Sequence, residues 1–287
     1  MSRCFFVSDL HGKADRYRKL FDRIAAERPA AVFLGGDLLP HVPSAKLSGA
    51  GAQDAFIEQH LAAGFRKLQD ALGNDYPKVF LILGNDDPRA VEPSLVSASS
   101  RRLWEYMHDR RAPWRDYAVY GYACVPPTPF QLKDWEKYDV SQFVDPGSIS
   151  PESGFRTVPV PAGEIRFATI QADLDRLAGD DDLTHAVFLL HTPPHQTALD
   201  RAALDGVTVD RVPLDVHVGS IAVRRFIEKR QPLITLHGHI HESARITGSW
   251  RERIGRTHAF SAAHDGPELA LVRFSPDDPS GAARELI

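Results

Sequence analysis

Cysteine is nearly absent from this chain. Cys4 and Cys124 are the whole complement in 287 residues, which excludes a disulfide framework and makes a reducing compartment, the cytoplasm, the expectation. No apolar run approaches the ~18 residues that a membrane-spanning helix needs, so no membrane association is expected. Runs of Lys or Arg are missing and the formal net charge is −4, so the general electrostatic footprint of nucleic-acid binding is lacking and nucleic acid is disfavoured as a partner. That balance still admits a small anionic ligand, because bound dications reverse a local field. The chain also lacks internal repeats and low-complexity tracts. It turns acidic at Asp9, too early for a secretory signal. What remains is ordinary globular composition, 43% hydrophobic and 25% charged, with length enough for a large core. One domain over 1–287 is expected, with an irregular insertion around 100–165.

Short apolar runs recur, and each ends in a polar cluster. Cys4 to Val7 reads as a buried strand leading into Asp9-Leu10-His11-Gly12. The helix behind it, Ala14 to Arg28, carries Tyr17, Leu20, Phe21 and Ile24 at helical spacing. Ala30 to Leu34 runs into Gly35-Gly36-Asp37. Residues 38–53, punctuated by Pro40, Pro43, Gly49 and Gly51, read as an irregular loop, and a helix is predicted from about Ala55 to Leu72. Val79 to Leu83 ends in Gly84-Asn85-Asp86-Asp87-Pro88. Ala118 to Val125 is a strand stopped by Pro126, Pro127 and Pro129, and Lys133-Asp134-Trp135-Glu136 reads as a packed loop. Ile165 to Ala178 is predicted helical, with Phe167, Ile170, Leu174 and Leu177 in register.

The second half repeats the construction. Ala186 to Leu190 ends in His191-Thr192-Pro193-Pro194-His195, and His217 precedes Ser220, the expected N-cap of a helix from Ile221 to Lys229. The strand opening at Pro232 runs into His237-Gly238-His239-Ile240-His241. From Ser243 a hairpin is expected, then strands near Thr257–Ser261 and Leu269–Phe274. β-α units first and mainly β later fit two sheets covered by helices better than one doubly wound sheet.

Any one of these polar junctions reads as an ordinary turn or cap. Together, five strand ends each offer metal-compatible groups: Asp9 with His11, Asp37, Asn85, His191, and His239 with His241. Open α/β sheets place their sites at such carboxyl ends. Imidazole suits zinc, iron and manganese, while carboxylate and amide oxygens favour harder ions. Seven groups are too many for one tetrahedral ion; two ions sharing Asp37 would use them all. A pair of dications ~3.5–4 Å apart stabilises a transferring phosphoryl group and brings the pKa of bound water toward neutrality. His237 reads as a core residue or a support to the ligands.

These blocks resemble, in order, the five signature blocks of the calcineurin-like metallophosphoesterases: Asp9-Leu10-His11, Gly36-Asp37, Gly84-Asn85-Asp86-Asp87, His191 and Gly238-His239-Ile240-His241. Thr192-Pro193-Pro194 and Gly219-Ser220 look like a bacterial and archaeal phosphodiesterase-like branch. The resemblance implies an α/β fold, a four-layer α/β/β/α sandwich of two mixed sheets flanked by helices, with a two-metal centre between the sheets. It implies that Asp9, His11 and His241 hold one divalent ion, that Asn85, His191 and His239 hold the other, and that Asp37 bridges. Manganese is favoured over iron, zinc, nickel or magnesium. The implied reaction is hydrolysis of a small phosphoester by attack of a metal-bridging hydroxide.

Two departures matter. The family's second block usually continues to a further Asp, where this chain has Leu38-Leu39-Pro40. Asp86 stands where many members carry a histidine thought to protonate the leaving group. Beside two dications its pKa is expected to fall, making it an acceptor and favouring phosphodiesters over monoesters. His195 and His217 are then the substitute proton donors, with structural histidines as the plain alternative. The principal rival function is a non-catalytic scaffold that keeps a degenerate metal site.

Overall fold

The structure is a computed structural model that describes residues 2–41 and 51–287. The short apolar runs become buried strands. In the first sheet, β1 (Cys4–Val7), β2 (Ala31–Gly35) and β3 (Lys78–Ile82) lie parallel and adjacent, and β4 (Glu105–Tyr106) extends them. In the second sheet, β5 (Arg110–Trp114) pairs antiparallel with β6 (Tyr117–Tyr122), and β6 runs parallel to β7 (Ala186–Leu190). A small separate hairpin, β8 (Thr208–Val209) with β9 (Val212–Pro213), follows. β10 (Ile234–His237) lies parallel to β7. β11 (Arg251–Ile254) and β12 (Thr257–Ser261) complete the second sheet, while β13 (Ala270–Ser275) and β14 (Asp278–Leu286) return to the first. The two six-stranded orders are β14-β13-β1-β2-β3-β4 and β11-β12-β10-β7-β6-β5.

The sheets stack on an aromatic seam. Phe33 of β2 stacks on Phe80 of β3 at 5.2 Å and meets Trp114 of β5 edge-on at 6.2 Å; Phe260 of β12 contacts Phe274 of β13 at 6.0 Å. Each such pair adds about 0.5–1.5 kcal/mol beyond its buried area. Helix α1 (Ala14–Glu27) buries Tyr17, Leu20 and Ile24. Helix α2 (Gly51–Phe56) continues through a π-helical turn at Ile57–Ala62 into α3 (Ala63–Leu72). A single 3.6-residue period, as expected from Ala55 to Leu72, does not see that wider turn. Of the loop expected over 38–53, residues 42–50 lie outside the described residues.

Helix α4 (Glu92–Ser100) follows a 3-10 turn behind Pro88. The helix expected from Ile165 to Ala178 is two, α5 (Ala162–Phe167) and α6 (Ile170–Ala178), because Thr169 turns extended and caps the second. Phe167, counted as an inward position, is 69% exposed as a result. Helix α7 (Ile221–Arg230) packs Phe226 on Phe188 of β7. Ser243 onward, expected as a hairpin, is instead the short helix α8 (Ser243–Thr247), ended by Gly248; the hairpin starts at Arg251. β4 and β5 lie in the stretch expected to be irregular; β5 hid because it is an edge strand with exposed arginines and Pro113. No helix among the described residues is long and apolar enough to cross a membrane.

Candidate metal centre

Five of the parallel strands, β1, β2 and β3 in the first sheet and β7 and β10 in the second, run at their carboxyl ends into loops that meet one another. Backbone bonds register them. Asp9 N–H donates to Gly36 O (3.0 Å), His11 N–H to Asp37 O (2.8 Å) and Gly238 N–H to His191 O (2.9 Å). Asp9, His11, Asp37 and His239 all take left-handed backbone, with φ of 56°, 47°, 51° and 73°, a conformation that costs a non-glycine residue energy. The turns aim these side chains back over the strand ends.

Seven predicted site residues come together there. Asp9, His11, Asp37 and His241 offer donor atoms all within 4.8 Å of one another, and Asp37, His191 and His239 form a second such set. Asn85 joins the second set, its Oδ1 3.1 Å from His191 Nε2. Asp37 belongs to both. His11 Nε2 and His241 Nε2 face each other at 3.1 Å, and His241 Nε2 lies 3.3 Å from Asp9 Oδ1.

Supporting bonds set the orientation of each donor. His191 Nδ1 lies 2.7 Å from the Gly35 carbonyl, which only accepts, so Nδ1 carries the hydrogen and Nε2 is turned to Asp37 and Asn85. His239 N–H donates to Asp9 Oδ1 (3.0 Å) and Asp86 N–H to Asp37 Oδ1 (2.9 Å). The loops approach so closely that side chains are excluded between them. A Cβ on Gly84 would stand 2.6 Å from His191 Nε2, and one on Gly238 would stand 2.7 Å from Asp9 Oδ2.

The electrostatics of the protein alone call for positive charge. Asp9 and Asp37 are buried, which opposes ionisation, yet the facing histidines hold both carboxyls below the usual range. Burial likewise opposes charging of His191, but Asp37 and Asp9 outweigh it and push its pKa up to about 10. Two buried carboxylates that draw a proton onto an imidazole, with nitrogen and oxygen donors gathered within 4.8 Å of one another, suit divalent cations. His239 is held down at about 3 by burial and by His191.

The remaining predicted residues fall around this cluster. Burial and the Asp37 charge push Asp86 up to about 6, opposite to the direction expected beside dications; cations would replace the repulsion by attraction. Its Oδ2 is 3.7 Å from His11 Nδ1. A cavity of about 440 Å³ opens from the cluster, and Asp37, Asn85, Asp86, His239, His241 and His217 lie on its wall. His217 Nδ1 bonds Asp200 Oδ1 at 2.8 Å. His195 sits beyond, 3.8 Å from Asp200 Oδ2, and is not among the wall residues. His237 is fully buried between Thr192 O (2.9 Å) and Thr235 Oγ1 (2.8 Å), away from the cluster.

Three supporting carboxylates escaped the sequence reading. Buried Asp200 also accepts the Gln196, Thr197 and Gly219 N–H groups. Asp87 accepts those of Leu38, Leu39 and Gly84, tying the loop after β2 to the loop after β3. Asp139 occupies the start of α7, accepting from Ser220 Oγ and Ile221 N, while Ser220 Oγ caps the helix as expected by accepting from Val223 N. A carboxylate in a loop or turn carries no periodic signal; only Asp87 is marked in the chain, as the last residue of the Gly84-Asn85-Asp86-Asp87 block.

A family model described as calcineurin-like phosphoesterase matches residues 2–243. No curated protein matches the chain. Among solved structures, TT1561 of Thermus thermophilus is 16% identical, with 99% of this chain and 98% of that chain covered and a TM-score of 0.58. A dimetal phosphatase from Danio rerio is 13% identical, with 94% and 91% covered and a TM-score of 0.51. At such identities the likeness speaks for the fold.

Proposed function

The chain belongs to the calcineurin-like phosphoesterase family, a family of metal-dependent phosphoester hydrolases, and from that premise we propose that it is a dinuclear phosphoesterase acting on phosphodiesters in preference to monoesters. The observation that carries the reading is the pair of donor sets sharing Asp37 at the junction of the two sheets. Asp9, His11 and His241 would hold one ion, Asn85, His191 and His239 the other, and Asp37 both. Divalent ions bound there supply charge neutralisation to a phosphoryl group and acidify water at neutral pH.

The chain's own residues do the rest. The Gly35 carbonyl fixes the His191 tautomer, and the His239 and Asp86 N–H groups orient the Asp9 and Asp37 carboxylates. Asp86, anionic beside the ions, repels a monoester dianion more than a diester monoanion. With Nδ1 engaged by Asp200, His217 has Nε2 left to exchange a proton with a leaving alkoxide. His217 is preferred to His195 for that task because it lies on the cavity wall.

Manganese-dependent hydrolysis of bis-p-nitrophenyl phosphate tests the assignment. Asp37→Ala should abolish turnover in protein that keeps its circular dichroism. Metal binding without turnover of any ester would replace the reading by the non-catalytic scaffold.

A further inference from the structure

The cavity beside the cluster is built mainly of apolar groups. Pro126, Pro127, Pro129 and Phe130 form one wall, and Leu204 and Leu214 contribute to another. The charged groups that line it outside the seven donors are carboxylates, Asp86, Asp145, Asp215 and Glu242; no Lys or Arg among the described residues lines it. Its volume of about 440 Å³ falls within the ~300–1,000 Å³ of small-molecule pockets.

The walls are held in place. Thr128 N–H and Oγ1 donate to Glu136 at 2.7 and 2.5 Å, and Lys133 Nζ bonds Thr128 O (2.9 Å) and Glu136 Oε2 (2.5 Å). Lys133 and Glu136 are fully buried, so the proline-rich wall is anchored from behind by a dry ion pair. Val209 of the β8–β9 hairpin lines the cavity too, packed against the Gly147 loop. The apolar lining reaches solvent at Phe130, which is 57% exposed.

We propose that this cavity seats an apolar, uncharged organic group carried on the phosphate, an alkyl chain or aryl ring, so that the substrate is a singly charged diester of amphiphilic character and not a nucleotide or sugar phosphate. The inference rests on the phosphoesterase reading and names the class of ester that site takes. Carboxylate walls disfavour further negative charge, and the surface of Pro126, Pro127, Pro129, Leu204, Val209 and Leu214 offers no side-chain hydrogen-bonding partner to a polar sugar or base laid against it. In the reaction, an oxygen from water bonds to phosphorus, one phosphorus–oxygen bond breaks with its electron pair going to the departing alcohol, and a water proton ends on that alcohol.

Methyl, butyl and octyl p-nitrophenyl phosphates, with the p-nitrophenyl ester of thymidine 5′-phosphate, test it under manganese, since the leaving group is constant. kcat/KM should rise at least tenfold from methyl to octyl, mostly through KM, and the thymidine ester should fall below octyl. Leu214→Asp should cut the octyl-to-methyl ratio at least tenfold; Val209→Asp, on the exposed hairpin, serves if the first variant fails to fold. A readout free of metal and turnover is calorimetric titration with the neutral dimethyl octylphosphonate and dimethyl methylphosphonate. The octyl compound should bind at least tenfold tighter to wild type and lose that margin in the variant. Hydrolysis of the methyl ester without octyl preference, or a preference for the thymidine ester, overturns this inference and leaves the phosphoesterase reading standing. No hydrolysis of any ester overturns both.

Discussion

Gly84 shows how little room the cluster leaves at the level of single residues. A methyl group there meets the Asp37 carboxylate and His191 together, and misplacing reacting groups by about 1 Å costs on the order of 10²-fold. Gly84→Ala should therefore lower metal-dependent kcat/KM at least a hundredfold, measured on bis-p-nitrophenyl phosphate. Asp86→His should shift the pH–rate profile and raise activity on monoesters relative to diesters; an unchanged ratio and profile would remove Asp86 from the specificity argument. His217→Asn should slow esters of poor leaving groups, such as alkyl alcohols, at least tenfold, while leaving p-nitrophenyl esters much less affected because p-nitrophenolate departs without a proton. The acid role of His217 fails if both ester types slow equally.

Elements were legible in proportion to how fully they are buried. β1, β2, β3, β7 and β10 are runs of apolar residues with buried faces on both sides, so their limits, and the donors standing just past them, could be read from the chain. The edge strand β5 and the helical turn at Ser243 could not, since packing against neighbours decides them. The cavity walls were less legible still. They come from loops whose shape depends on distant bonds, such as Glu136 holding Thr128. Lys133-Asp134-Trp135-Glu136, expected to be a packed loop, is indeed buried throughout. Burial pushes Glu136 up to about 7 against the pull of Lys133. Removing one partner of such a pair strands the other, at a cost of about 3–5 kcal/mol. Lys133→Met should show that loss in denaturant unfolding, and should also weaken octyl-ester selectivity.

Over the whole molecule, two buried histidines pull the pH dependence of stability in opposite directions. His237 is held down at about 4 by burial, so the folded protein refuses a proton that the unfolded chain takes near 6.5. Its contribution is present above that value and is lost as pH falls toward 4, at about 1.4 kcal/mol per pH unit. His191, raised to about 10 in the metal-free protein, contributes below about 6.5 and is lost as pH rises toward 10. Chelated protein should thus melt at lower temperature at pH 9 than at pH 6.5. Added manganese, taking the place of that proton, should raise the melting temperature most at the alkaline end. A melting temperature that does not change with manganese at pH 9 would count against the donor set.

Four of the seven donors stand on left-handed backbone at the ends of strands drawn from two different sheets. Grafting the same side chains onto a straight strand or a regular helix of another scaffold would scatter them. The portable unit is the turn with its donor, and a designer borrowing this centre must import the kinks before the imidazoles.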